Sequence, residues 1–224
     1  PPAGQIERFR SLLDRHGLGV DAVPTVAWVP DALDDLAELE RRCRVAAAGA
    51  AELGAAHWIV DAGQVRPDRP TSLQRWQATI EMQAALAGEH GLQLCVEAPH
   101  RGTLAERFDD IAELVAIADR ALGAPVGIDL DTSHVHNCGV SLERFIDTYG
   151  DRVAHVAVRD STGPGVWEMP IGDGDVDFGA AIGLLRSASY DGDLMLELEP
   201  PAGTTVEQRI ALVESARAYL AGML

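Results

Sequence analysis

Lysine is absent from the 224 residues of the chain, and all 18 basic side chains are arginines. This absence excludes every mechanism that needs a lysine amine, including Schiff-base aldolase chemistry, a pyridoxal anchor and the phosphate-binding lysine of a P-loop. Basic residues are also outnumbered, because 35 acidic residues bring the formal net charge to −17. That excess disfavours nucleic acids and anionic membranes as partners, since proteins bind both by neutralising phosphates.

Cysteines are few and apolar runs are short. Cys43, Cys95 and Cys138 are far apart and form no CxxC pair, which predicts reduced thiols in a cytoplasmic protein. No apolar run reaches the roughly 18 residues of a membrane span. Hydrophobic residues make up 47% of the chain, enough for a sizeable core. Because no linker or low-complexity tract interrupts it, we expect a single domain over residues 1–224.

The chain does contain a regular alternation of two kinds of segment. Amphipathic stretches of helical length alternate with short stretches that are apolar on both faces, as buried parallel strands are. Such an alternation predicts βα units and an α/β fold. The predicted helices are 5–16, 32–53, 72–89 (with a Thr71–Gln74 capping box), 104–122, 141–149, 178–188 and 205–223, and the predicted strands are 18–26, 56–62, 92–98, 126–131, 152–158 and 193–199.

Three of the predicted strands carry a carboxylate at or near their ends. These residues are Glu97, Asp131 and Glu197, and a histidine follows each of the first two by three residues, at His100 and His134. We expect the three carboxylates to converge, because the carboxyl ends of parallel strands form the active-site edge of α/β proteins. A divalent cation that prefers oxygen ligands, Mg²⁺ or Mn²⁺, would relieve their mutual repulsion. The alternative is that each acid is an ordinary strand-end residue paired with an arginine.

Two further polar features follow the strand 152–158. Arg159 is either half of a surface ion pair with Asp160 or an arginine that faces the substrate. Trp167 and the stretch PIGDGDVDF lie in the loop that follows. Glycines and aspartates alone would indicate only turns there.

In combination, these residues resemble the sugar phosphate isomerase/epimerase family, the xylose isomerase-like TIM barrels. The matching stretches are LLDRHGLGVDAV, VEAPH, GIDLDTSHVHNCG, HVAVRDS, PIGDGDVDF and YDGDLMLELEP. The resemblance implies a (β/α) TIM barrel that lacks the family's first strand in this chain. It also implies that Glu97, Asp131 and Glu197 ligate the metal.

The same resemblance implies the catalytic roles. Glu97 and Glu197 would move a proton on and off carbon, and His134 would act beside them on the substrate. The resemblance also makes Arg159 a candidate for binding the substrate, which would be a small polyhydroxy compound. We add His100 and Trp167 as further candidates for substrate binding.

Two departures from the family pattern bear on this assignment. The family strand reads His-x-His-x-Lys-Asp and its second histidine is a metal ligand, whereas Ala157 stands at that position here. The missing first strand would leave a barrel wall open, and the apolar surface exposed there would invite a partner chain, such as a second copy in a homo-oligomer.

Three functions stay open at this stage. The first is a metal-dependent isomerase or epimerase that acts on a small sugar, polyol or hydroxy-ketone through an enediolate. The second is a dehydratase that forms the same enediolate and then expels a β-hydroxyl. The third is a degenerate barrel that binds a ligand or partner without turnover.

Strand parity predicts one buried pair. Side chains two residues apart on a strand share a face, so Asp129 should lie one layer below Asp131, and His155 one layer below Ala157. The strands 126–131 and 152–158 belong to consecutive βα units and should be neighbours. We therefore expect Asp129 and His155 to form a hydrogen bond, directly or through one water, and to support Asp131 from beneath.

Overall fold

The computed structural model describes residues 4–25, 36–65, 68–166 and 169–224. The described chain divides into two compact units, one made of the residues up to Glu97 with Ala112–Gly127, the other of Ala98–Ile111 and the residues from Ile128 on. Within these ranges, no helix is long and apolar enough to cross a membrane. In chain order the elements are α1 (Gln5–His16), β1 (Ala22–Pro24), α2 (Leu36–Leu53), β2 (His57–Asp61), α3 (Arg69–His90), β3 (Gln93–Glu97), α4 (Phe108–Leu122), β4 (Gly127–Asp131), α5 (Thr132–Asn137), α6 (Leu142–Tyr149), β5 (Val153–Val158), α7 (Phe178–Ser187), β6 (Leu194–Leu196) and α8 (Val206–Ala221).

The first unit holds three parallel strands. β1 pairs with β2, and β2 pairs with β3 in register from His57–Gln93 to Asp61–Glu97. Trp58 is fully buried in this unit, and its indole N–H donates to the Gln83 side-chain oxygen at 3.0 Å. Trp58 is therefore a core residue, as its place within an apolar strand suggests.

The second unit also has parallel strands. β4 pairs with β5 so that Asp131 lies opposite Ala157, and β5 pairs with β6 so that Ala157 lies opposite Met195. A register shift between Ile128 and Asp129 does not change the pairing of the residues that follow. The predicted neighbourhood of 126–131 and 152–158 is confirmed.

Two local predictions were wrong. Helix α3 begins at Arg69 rather than at residue 72, because the Asp68 carboxylate caps it by accepting the Thr71 backbone N–H at 2.9 Å. Thr71 is thus inside the helix, and the capping box of the described chain lies instead at Thr205 of α8. The segment after Asp131, for which the sequence predicted no helix, forms the short helix α5.

Candidate active site

One guanidinium group, that of Arg159 directly after β5, contacts three carboxylates, one at the end of β4 and two just after β6. The Nη1 atom of Arg159 lies 3.1 Å from Glu197 and 3.5 Å from Asp131, and its Nη2 atom lies 2.8 Å from Glu199. Burial by itself lowers the pKa of Arg159, but the charges of Glu197, Asp131 and Glu199 outweigh it and hold the pKa above its ordinary value. Arg159 is therefore a permanent cation within the second unit.

Asp131 is a helix cap as well as a partner of Arg159. Its Oδ1 atom accepts hydrogen bonds from the Ser133 hydroxyl at 2.8 Å and from the His134 backbone N–H at 2.9 Å. Capping by a strand-end aspartate is what starts α5, since it satisfies a donor that the helix cannot pair internally. The sequence signal for this cap was the Asp-x-x-His spacing.

The backbone of Arg159 is tied to the start of α5. The Thr132 hydroxyl donates to the Arg159 carbonyl oxygen at 2.7 Å and accepts the Arg159 N–H at 2.9 Å. One buried hydroxyl thus fixes the end of β5 against the end of β4. This link positions the guanidinium beside Asp131.

Two histidines lie against each other near these carboxylates. The rings of His100 and His134 stack with centroids 3.9 Å apart, and His134 Nε2 lies 3.7 Å from Asp131 Oδ2. Ring nitrogens of the two histidines come within 4.8 Å of each other. An imidazole ring can accept a hydrogen bond or ligate a metal through a ring nitrogen that carries no proton.

The predicted pair beneath the site is confirmed. His155 Nδ1 lies 2.8 Å from Asp129 Oδ1, both side chains are buried, and the two residues are register partners on β4 and β5. The pair stands one layer below Asp131 and Ala157, as strand alternation requires.

Asp160 holds the loop that follows β5. Both of its carboxylate oxygens are buried and together accept four backbone N–H groups, from Ser161, Gly172, Gly174 and Val176. The alternative of a surface ion pair between Arg159 and Asp160 was therefore wrong, because Asp160 bonds the backbone of its own loop.

The first unit contributes acids of its own at the ends of neighbouring strands. Glu97 is the last residue of β3, and Asp61, which ends β2, is its register partner. Asp61 carries the same sequence signal as the three acids named earlier, an apolar strand that ends in a carboxylate, and our reading overlooked it.

The predicted site residues are distributed as follows. Asp131, His134, Arg159, Glu197 and His100 all belong to the second unit, where Arg159 contacts both Asp131 and Glu197. Glu97 belongs to the first unit, and Trp167 lies outside the described residues.

Comparison with known proteins identifies the family. The family model described as "Xylose isomerase-like TIM barrel" matches residues 1–219. The chain belongs to this family. The resemblance of the sequence motifs and the xylose isomerase-like fold are both confirmed, and the alternating parallel strands and helices of each unit are those of a (β/α) barrel.

Individual members of the barrel family give narrower comparisons. An inosose dehydratase of Clostridium perfringens is 28% identical over 156 residues, which cover 61% of this chain and 50% of the dehydratase. The chain thus spans about half the length of the curated relatives it matches. Among solved structures, a D-tagatose 3-epimerase-like protein superposes with a TM-score of 0.79 at 19% identity, over 99% of this chain and 84% of that one. The IolI protein, solved with a zinc atom bound, gives a TM-score of 0.75 at 15% identity, over 98% and 81% of the two chains.

Proposed function

We propose that this chain carries the catalytic site of a sugar isomerase or epimerase that moves a proton on a small polyhydroxy ketone. The observation that supports it best is the convergence of Asp131 and Glu197 on Arg159 at the carboxyl ends of parallel strands. Removing a proton next to a carbonyl places negative charge on oxygen, so a carboxylate base beside a fixed cation suits that reaction.

In this proposal Glu197 is the base, since its side chain is 39% exposed and a substrate can reach it. Its carboxylate takes the proton from the carbon next to the carbonyl, and the C–H electron pair forms the C=C bond of an enediolate. Arg159 stabilises the oxygen that receives the carbonyl electron pair. Its buried Nε makes no hydrogen bond to any described residue. The protonated Glu197 then returns a proton to a carbon of the enediolate, while His100 and His134 bind hydroxyls.

A dehydratase is the second candidate, and the match to inosose dehydratases favours it. The first step would be the same proton removal by Glu197. The hydroxyl on the next carbon would then take the proton held by Glu197 and leave as water, while the enediolate electrons form the new C=C bond and restore the carbonyl. The two reactions share a base and a cation and differ only in the group that leaves.

A metal ion fits part of this arrangement. The neighbouring imidazole nitrogens of His100 and His134 suit a borderline ion such as Zn²⁺ better than Mg²⁺, so we add Zn²⁺ to the Mg²⁺ or Mn²⁺ that the sequence predicts. We propose that these two histidines would hold it. Bound there, the ion would supply Lewis-acid polarisation of the substrate carbonyl. A zinc atom in the related IolI structure is consistent with this choice.

The test follows D-tagatose and a keto-inositol in D₂O by NMR and mass spectrometry. Uptake of deuterium with no other change in the mass of the substrate supports the isomerase or epimerase. Loss of one water from the substrate supports the dehydratase. We expect Glu197→Gln to lower the rate at least about hundredfold, because general base catalysis contributes about 10²–10⁴-fold. Glu199→Gln is the matched control: it removes a more exposed carboxylate from the same guanidinium and should cost less than about tenfold. If the protein catalyses neither deuterium uptake nor water loss, that result contradicts the proposal and favours a non-catalytic binding barrel.

A further inference from the structure

The Arg159 guanidinium lies beside two of the acids that the sequence motifs indicated as metal ligands. Asp131 and Glu197 were predicted to share a divalent ion, and both instead contact one nitrogen of the Arg159 guanidinium. The other oxygen of Asp131 is already engaged as the cap of α5. The two acids therefore have a cation, supplied by the chain itself.

The strand that carries Arg159 lacks the ligand that a metal would need. Ala157 is buried and lies opposite Asp131 in the β4–β5 register, at the position where the family motif has its histidine. Arg159 follows Ala157 by two residues, the spacing that places two side chains on the same face of a strand. On β5 the ligand position of the family motif thus has no donor atom, and Arg159, directly after the strand, stands where that motif has its lysine.

We propose that the Arg159 guanidinium replaces the metal ion at Asp131 and Glu197, so that these two acids do not ligate a divalent cation in this protein. A divalent ion bridging them at about 2.0–2.6 Å would sit beside a guanidinium that never loses its charge, and the two cations would repel each other. The inference does not depend on which reaction the site catalyses, and it leaves the histidine site proposed above untouched.

The test is calorimetric titration of the full chain with MnCl₂, an ion that accepts carboxylate ligands readily. Asp131→Asn should change the Mn²⁺ affinity of the wild type less than about threefold, and asparagine preserves the helix cap, so the variant is expected to fold. Arg159→Met should raise the affinity at least about tenfold. Adding Asp131→Asn to Arg159→Met should remove that gain. Arg159→Lys, which keeps a cation, should not show it.

The inference is overturned by a loss of more than about tenfold in Asp131→Asn alone, since Asp131 would then be a metal ligand. It is also overturned if Arg159→Met folds, as judged by its circular dichroism, and binds Mn²⁺ no more tightly than the wild type. Should Arg159→Met fail to fold, Asp131→Asn still decides the question. Because the readout is metal affinity, an inactive protein would contradict the proposed reaction without affecting this result.

Discussion

Replacing Asp160 by asparagine should weaken the whole second unit. The Oδ1 atom of Asp160 accepts the N–H groups of Ser161 at 2.8 Å and Val176 at 3.3 Å, and Oδ2 accepts those of Gly172 at 2.8 Å and Gly174 at 2.9 Å. Asparagine has the same shape but only one oxygen. Its amide NH₂ would face two of these four donors, and neither could form a hydrogen bond with it.

The magnitude follows from the two orphaned donors. A buried donor left without an acceptor costs about 1–3 kcal/mol, so two would cost about 2–6 kcal/mol. Gly172 is exposed and Gly174 is half-buried, so water can replace part of what they lose. We therefore expect the free energy of unfolding to fall by about 2–4 kcal/mol, a large share of the roughly 5–15 kcal/mol typical of a domain.

Urea unfolding followed by circular dichroism measures this change. The matched control is Asp173→Asn, the same substitution at an exposed position of the same loop, which should stay within about 0.5 kcal/mol of the wild type. A loss below about 1 kcal/mol in Asp160→Asn, at an unchanged denaturant slope, would refute the idea that this carboxylate holds the loop by its hydrogen bonds.

Two further predictions concern the buried pair of Asp129 and His155 and two cysteines, the buried Cys43 and the half-buried Cys138. A double-mutant cycle on Asp129→Asn and His155→Gln should give a coupling free energy of at least about 1 kcal/mol, because the two side chains bond at 2.8 Å in a buried layer; additive effects would contradict a direct interaction. Burial raises the pKa of Cys43 to about 11 and that of Cys138 to about 12, so neither thiol ionises near pH 8. Ellman's reagent should therefore label both only after unfolding in urea, and rapid labelling of either in the folded protein would show that its thiol is accessible.

Features with a short repeat could be predicted from the sequence alone. Helical and strand periodicities placed most elements correctly, because each depends on neighbours within a few residues along the chain. Alternation along β4 and β5 was enough to predict the contact between Asp129 and His155, since parallel strands of consecutive βα units share a fixed direction. The motifs of the barrel family could be identified for the same reason, because each consists of residues that are close together in the sequence.

The partners of long side chains were decided only by the tertiary structure. Arg159 reaches Asp131, which lies 28 residues before it, and Glu197, which lies 38 residues after it, and no spacing rule connects such positions. Asp160 follows Arg159 directly, yet it turns to four backbone N–H groups of its own loop. A charged side chain pairs with whichever group the fold brings near it and shields from water, and the sequence records the charge but not the neighbour.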